Sequence, residues 1–106
     1  MQRPIIAVPA DIRTFENYTW HATPDTYLKA ALRVAGVIPL IVPALSEGFD
    51  LADILDRVDG VMTTGSATNV HPGRYGVDAT ASYEPFDTNR DTLSCAMIQG
   101  ALSRDM

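Results

Sequence analysis

Three short apolar runs alternate with helical patterns along the chain, and this alternation limits the folds that are open to it. The runs at residues 5–10 and 37–43 are typical of strands buried on both faces, as in parallel sheets. A third run at residues 61–64 follows the turn residues Asp59-Gly60. Strands that alternate with helices imply parallel pairing through right-handed crossovers. The order β-α-β-α-β-loop-α therefore predicts an α/β fold, the N-terminal half of a doubly wound, mostly parallel, flavodoxin-like sheet.

Each predicted helix has a start signal and an apolar stripe. Thr23-Pro24 begins the first helix and Gly36 ends it. Ser46, Glu47 and Asp50 supply a cap and negative charge to the second, and Asp91 or Asn89 caps the third. The stripes expected to face the core are Tyr27, Ala30, Ala31 and Val34 in the first helix, Leu51, Ile54, Leu55 and Val58 in the second, and Leu93, Met97, Ala101 and Ala96 in the third.

A polar loop is predicted from Asp11 to His21, and it carries the rings of Phe15, Tyr18 and Trp20. Aromatic side chains more often pack than bind ligands. We therefore expect these rings to cover a sheet edge or a partner chain rather than to form a ligand site.

Composition excludes several classes of protein. The length of 106 residues is enough for one small domain with a single core, and the net charge of -5 argues against nucleic acid or an anionic membrane as partner. The one cysteine, Cys95, excludes an internal disulfide and fits a reducing compartment. No apolar run approaches the ~20 residues of a membrane span, and the N-terminus lacks a signal-peptide pattern. These features predict a cytoplasmic protein.

Residues 65–89 lack any helical or strand period, and loops longer than about 12–15 residues are usually functional or disordered. The third strand breaks at Gly65-Ser66. Free N–H groups at that edge of an α/β sheet can hold a carboxylate, a phosphate or an oxyanion. The alternative is a tight turn that needs the backbone freedom of glycine. Arg74 and Tyr75 can fix a substrate carboxylate, or Arg74 can be a solvated loop charge.

Other reactive side chains favour structural roles. Cys95 lies in the middle of the third predicted helix, not on a strand-to-helix elbow, so we interpret it as structural. His21 and His71 lack metal-ligand spacing, and no glycine-rich phosphate loop follows the first strand, so we expect no metal and no cofactor. Arg90-Asp91 is interpreted as an ion pair at the start of a helix.

Several motifs together resemble the gamma-glutamyl-gamma-aminobutyrate hydrolase family, which are class I glutamine amidotransferase-like cysteine hydrolases. The resemblance covers nearly the whole chain, and it implies that residues 1–106 are the N-terminal part of one class I glutamine amidotransferase-like domain. Its motifs are Tyr27-Leu28-Lys29-Ala30, Ala35-Gly36-Val37-Ile38-Pro39, Asp59-Gly60-Val61, residues 65–76, and Asp87-Thr88-Asn89-Arg90-Asp91.

The resemblance implies cleavage of a small gamma-glutamyl substrate through a cysteine thioester. It places the Cys-His-Glu triad beyond Met106, so this chain alone is expected to be inactive. It also implies that the Gly65 N–H, with Ser66, faces the developing oxyanion. The loop that carries Asn69, Arg74 and Tyr75 would border the glutamyl pocket.

Two further expectations concern partners and an alternative function. A half-sheet leaves an edge uncovered, so we expect a homo-oligomer or pairing with the remainder of the same chain. The alternative to an enzyme is a truncated, non-catalytic binding or interaction module.

Overall fold

The computed structural model describes residues 2–45 and 47–106 and shows an α/β fold with a parallel three-stranded sheet. The strands are β1 (Ile5–Pro9), β2 (Asp11–Phe15), β3 (Tyr18–Ala22), β4 (Ile38–Val42) and β5 (Gly60–Val61). The α-helices are α1 (Asp25–Lys29, continued as a π-helix over Ala30–Ala35), α2 (Leu51–Leu55) and α3 (Thr88–Ser103), and two short 3-10 helices span Pro72–Tyr75 and Ala81–Tyr83. The strand order of the parallel sheet is β4-β1-β5, and both of its pairings are parallel, as the sequence predicts. A separate two-stranded sheet pairs β2 with β3.

The central strand β1 is the most buried element of the sheet. Ala7 and Val8 have no exposed surface, as expected for a strand with neighbours on both edges. β4 carries Pro39, which cannot donate to a ladder, and β4 lies at an edge of this sheet. The third strand is shorter than predicted, because β5 ends at Val61 rather than at Thr64. A tertiary contact replaces strand pairing here, because the Thr64 carbonyl accepts a hydrogen bond from a side chain of α3 instead of from a neighbouring strand.

The predicted loop from Asp11 to His21 is wrong, because this segment forms the antiparallel hairpin of β2 and β3. Glu16 and Asn17 form its turn, and their positive φ values of 50° and 64° give the backbone twist of a type I′ turn. Phe15, Tyr18 and Trp20 remain 63%, 69% and 49% exposed, so they do not cover a sheet edge within the described residues. Their contact with a partner chain stays a prediction.

The hairpin turn gives a first test. Glu16 has a left-handed backbone that costs a non-glycine residue about 1–2 kcal/mol, and asparagine tolerates it better. We expect Glu16→Asn to raise the free energy of unfolding by about 0.5–1 kcal/mol, measured by urea denaturation. Glu47→Asn is the control, because Glu47 is exposed and has no positive φ. Equal stability of the two variants would contradict the type I′ turn.

The first helix begins and ends close to the predicted residues. Thr23 does not cap it, because the Thr23 hydroxyl lies 3.5 Å from the Pro9 carbonyl and donates to it. Gly36 ends the helix with a left-handed φ of 70°. Within the predicted stripe, Ala31 is buried and Tyr27 is half-buried, whereas Ala30 and Val34 are exposed and were wrongly assigned to the core face.

Helix α2 agrees with its sequence signals. The Asp50 carboxylate accepts a hydrogen bond of 3.0 Å from the Ala52 N–H and caps the helix. The predicted cap residue Ser46 lies outside the described residues, and Glu47 lies in the bend before the helix. The predicted stripe is confirmed, because all four of its residues belong to the core or pack against it: Leu51, Ile54, Leu55 and Val58.

Helix α3 lies against the sheet and against α2. Its cap is Asp87, whose carboxylate accepts from the Arg90 N–H at 2.9 Å, and neither Asn89 nor Asp91 takes this role. Ala96 is exposed, which corrects its assignment to the core face. The buried core cluster contains Ala7, Val42, Ala44, Leu55, Leu93 and Met97. Across the described residues, no helix combines the length and the apolar character that crossing a bilayer requires.

Candidate functional site

The candidate site lies where the strand ends meet the N-terminus of α3. Asp11 lies two residues after the end of β1, and Gly65 lies four residues after the end of β5. In open α/β sheets, ligands bind at the carboxyl ends of the strands. Gly65 is exposed, and no other described residue forms a hydrogen bond with its N–H. This N–H therefore lies outside the sheet ladder.

A buried ion pair holds the loop that carries Gly65. The Arg90 Nε pairs with the Asp11 Oδ1, and the two side chains are only 8% and 4% exposed. The Arg90 Nη2 donates a hydrogen bond to the Thr64 carbonyl. The Ser66 hydroxyl donates to the Asp11 Oδ2 at 3.1 Å. One ion pair thus binds the residue before Gly65 and the residue after it.

Two carboxylates at the N-terminal end of α3, one at the cap and one in the first turn, fix two other segments. The Asp87 Oδ2 accepts from the Ile12 N–H at 3.0 Å, and the Asp91 Oδ2 accepts from the His71 N–H at 2.9 Å. The predicted ion pair between Arg90 and Asp91 is wrong, because each side chain has a partner elsewhere. Adjacent residues of a helix point in different directions, so they do not face each other.

The predicted pocket residues lie on the long loop after Gly65. The Asn69 Nδ2 donates to the Tyr83 carbonyl at 2.9 Å, which ties one part of this loop to another. The Arg74 Nη2 donates to the Thr92 hydroxyl at 3.1 Å, and Tyr75 is exposed. Among the described residues, no hydrogen bond links Asn69, Arg74 or Tyr75 to Gly65. A role of these three side chains in binding stays a prediction.

The two histidines and the cysteine have the contacts of structural residues rather than of a reactive site. The His21 Nδ1 accepts from the Ala44 N–H at 2.9 Å, and the His71 Nδ1 accepts from the Gly73 N–H at 3.0 Å. Cys95 is half-buried in the middle of α3. The described ranges 2–45 and 47–106 hold no group of three His, Cys, Asp or Glu side chains placed to bind a metal. An open cavity of about 300 Å³ lies on the hairpin instead, lined by Tyr18, Thr19 and Trp20.

Sequence reasoning did not assign Asp11 and Arg90 to the site. Their connection spans most of the chain and has no local signature. A partial signal existed, because Asp11 comes directly after a run of buried apolar residues, at the sheet edge where ligands bind.

Comparison with known proteins finds a family model and several similar proteins. The family model for peptidase C26 matches residues 4–106. The chain is 35% identical to the gamma-glutamyl-gamma-aminobutyrate hydrolase of Escherichia coli O157:H7 and to PuuD, the hydrolase of the same name from Escherichia coli strain K12. It is 34% identical to the corresponding hydrolase of Shigella flexneri. Each alignment covers 98% of this chain and 40% of the relative, so the chain spans about 40% of the length of the relatives that it matches.

Proposed function

Because the chain belongs to the peptidase C26 family, we propose that it forms the N-terminal part of a hydrolase that cleaves gamma-glutamyl amide bonds. The observation that carries this proposal is the similarity to gamma-glutamyl-gamma-aminobutyrate hydrolases over 98% of the chain. The proposed reaction proceeds through a cysteine thioester, and the Cys-His-Glu triad belongs to polypeptide outside residues 1–106. The proposed substrate is a small gamma-glutamyl amide.

In this proposal the chain supplies one half of an oxyanion hole. The Gly65 N–H, with Ser66, would donate to the oxyanion that develops when the thiolate attacks the amide carbonyl. The exposed position of Gly65 outside the ladder supports this role. Removal of one such donor typically lowers kcat by about 10²–10³. Asn69, Arg74 and Tyr75 would border the pocket for the glutamyl group, with Arg74 suited to its carboxylate.

The competing function is a non-catalytic binding module. The exposed rings of Phe15, Tyr18 and Trp20 favour it, since large exposed aromatic side chains mark interaction surfaces. An activity assay separates the two. The full-length protein is expected to hydrolyse a chromogenic gamma-glutamyl anilide and to leave the alpha-glutamyl isomer intact, and residues 1–106 alone are expected to hydrolyse neither. Failure to cleave the gamma-glutamyl compound would overturn the enzymatic proposal.

A cysteine variant tests where the nucleophile lies. We expect Cys95→Ala in the full-length protein to keep turnover within about twofold of the wild type, because Cys95 is a half-buried helix residue. The variant should still be inactivated by iodoacetamide, which would alkylate a nucleophile elsewhere. The measurement is the rate of gamma-glutamyl anilide hydrolysis before and after alkylation. Loss of turnover in folded Cys95→Ala would make Cys95 the nucleophile and would contradict the assignment.

A further inference from the structure

We propose that Arg90 is a positioning residue that sets the direction of the Gly65 N–H, and that Asp11 holds Arg90 in place. This inference rests on the proposed function, in which that N–H is an oxyanion donor. It concerns side chains that do not touch the substrate, and it follows from the contacts on either side of Gly65.

The key contact is on the peptide unit that contains the donor. The Thr64 carbonyl and the Gly65 N–H belong to one planar peptide group, and in a trans peptide they point in opposite directions. The Arg90 Nη2 donates to the Thr64 carbonyl. The carbonyl is therefore directed at the buried guanidinium, and the N–H of the same peptide is directed away from it. Fixing one end of a rigid plane fixes the other.

A second contact holds the following residue. The Ser66 hydroxyl donates to the Asp11 Oδ2 and also accepts from the Thr68 N–H at 3.2 Å. Because Asp11 pairs with Arg90, the residues before and after Gly65 are tied to the same pair of charges. A Cβ at residue 65 would lie 2.8 Å from the Tyr27 hydroxyl oxygen, so Tyr27 closes one side of this residue. The peptide thus has little freedom to rotate.

The guanidinium is buried, and the backbone that carries it is held by a helix cap. The Asp87 carboxylate accepts from the Arg90 N–H, which fixes the backbone from which the side chain extends. Both charged side chains are more than nine-tenths buried, where electrostatic interactions are stronger than in water. A cationic donor on the Thr64 carbonyl also polarises the peptide group, which makes its N–H a better donor. Arg90 therefore orients and strengthens the same donor.

The test compares two arginines at opposite ends of α3 in the full-length enzyme, Arg90 in its first turn and Arg104 at its C-cap. Arg90→Lys keeps the charge that pairs with Asp11 but removes the planar fork that reaches the Thr64 carbonyl at the same time. We expect kcat to fall by roughly 10- to 100-fold with KM within about twofold, because misplacing a catalytic group by about 1 Å can cost 100-fold. Arg104→Lys is the matched control, because Arg104 pairs with Asp56 at the other end of the helix. Its kcat should equal that of the wild type.

Dividing the rate by the concentration of titrated active sites separates an effect on the position of the donor from a loss of folded enzyme. A residue with only a structural role would lower the number of active sites and leave turnover per site unchanged. Turnover per site that stays at the wild-type level in Arg90→Lys would overturn the inference. If Arg90→Lys does not fold, Asp11→Asn carries the test, since it keeps the size of the side chain and removes the charge that holds Arg90 in place. A several-fold fall in its kcat is expected, and an unchanged kcat would overturn the inference.

An NMR measurement keeps this inference separate from the proposed function. The order parameter of the ¹⁵N-labelled Gly65 amide should be high in the full-length wild type, lower in Arg90→Lys and unchanged in Arg104→Lys. If the wild type does not hydrolyse gamma-glutamyl amides, the proposed function fails and this comparison alone decides the positioning role. An equal order parameter in wild type and Arg90→Lys would then overturn it.

Discussion

Arg90→Met is expected to lower the free energy of unfolding by about 3–5 kcal/mol, which is the typical cost of removing one partner of a buried ion pair. The variant leaves the buried Asp11 with only a 3.5 Å contact to the half-exposed Arg13, and it leaves the Thr64 carbonyl without its donor. Asp11→Ala is expected to have an effect of similar size for the same reason. Urea denaturation of the full-length protein, followed by circular dichroism, provides the measurement.

The double variant Asp11→Ala/Arg90→Met distinguishes this cause from a general loss of packing. Removing both charges leaves no isolated buried ion, so the double variant should be clearly more stable than the sum of the two single losses predicts. The matched control is the pair of Asp56 and Arg104, whose Nη2–Oδ1 distance is 2.9 Å and in which Asp56 is exposed. Arg104→Met should cost less than about 1 kcal/mol. Similar losses for both arginines would show that burial does not control the energy of the first pair.

The elements that sequence reasoning predicted well are those that depend on local physics. The parallel pairing of the strands follows from their alternation with helices, and the structure confirms it. Gly36 ends its helix because a left-handed residue is needed there, and Asp50 caps α2 through an N–H two residues away. In each of these cases the signal and its partner lie within a few positions of each other.

The hairpin was missed because its turn lacks the usual residues. A type I′ turn normally contains Asn-Gly or Asp-Gly, and this chain has Glu16-Asn17. The hairpin is held by ladder hydrogen bonds between β2 and β3 and by the Trp20 Nε1, which donates to the Phe15 carbonyl at 3.1 Å. The free energy gained by pairing β2 with β3 outweighs the cost of the left-handed backbone at Glu16. The sequence of the turn alone does not reveal this balance.

The cap of α3 shows why several equivalent signals cannot be separated locally. Asp87, Asn89 and Asp91 lie within five positions, and each residue type can cap a helix. Tertiary partners decide between them: the Asp91 carboxylate binds the His71 N–H, 20 residues away, whereas Asp87 is left to cap and also binds Ile12. The motif was visible in the sequence, but the division of tasks within it was not.

The candidate site follows the same rule. Gly65-Ser66 could be selected from the sequence because a glycine after an apolar strand is a local pattern. The ion pair that holds this loop joins Asp11 to Arg90, and no spacing rule connects residues so far apart. Long-range contacts thus decide how the loop is held, while the local pattern decides only where it begins.

Met97→Ala is expected to lower the free energy of unfolding by about 2–5 kcal/mol, because a fully buried side chain would leave a cavity. Met97 has no exposed surface and lies in the core cluster with Ala7 of β1 and Leu55 of α2, so its loss loosens α3 from the sheet. Leu102→Ala in the same helix is the control, since Leu102 is 69% exposed and its truncation should change stability by less than about 0.5 kcal/mol. Urea denaturation of both variants measures the difference, and equal losses would contradict the packing of α3. Because Arg90 extends from this helix, the same cavity should also raise the mobility of the Gly65 amide, which links the core to the candidate donor.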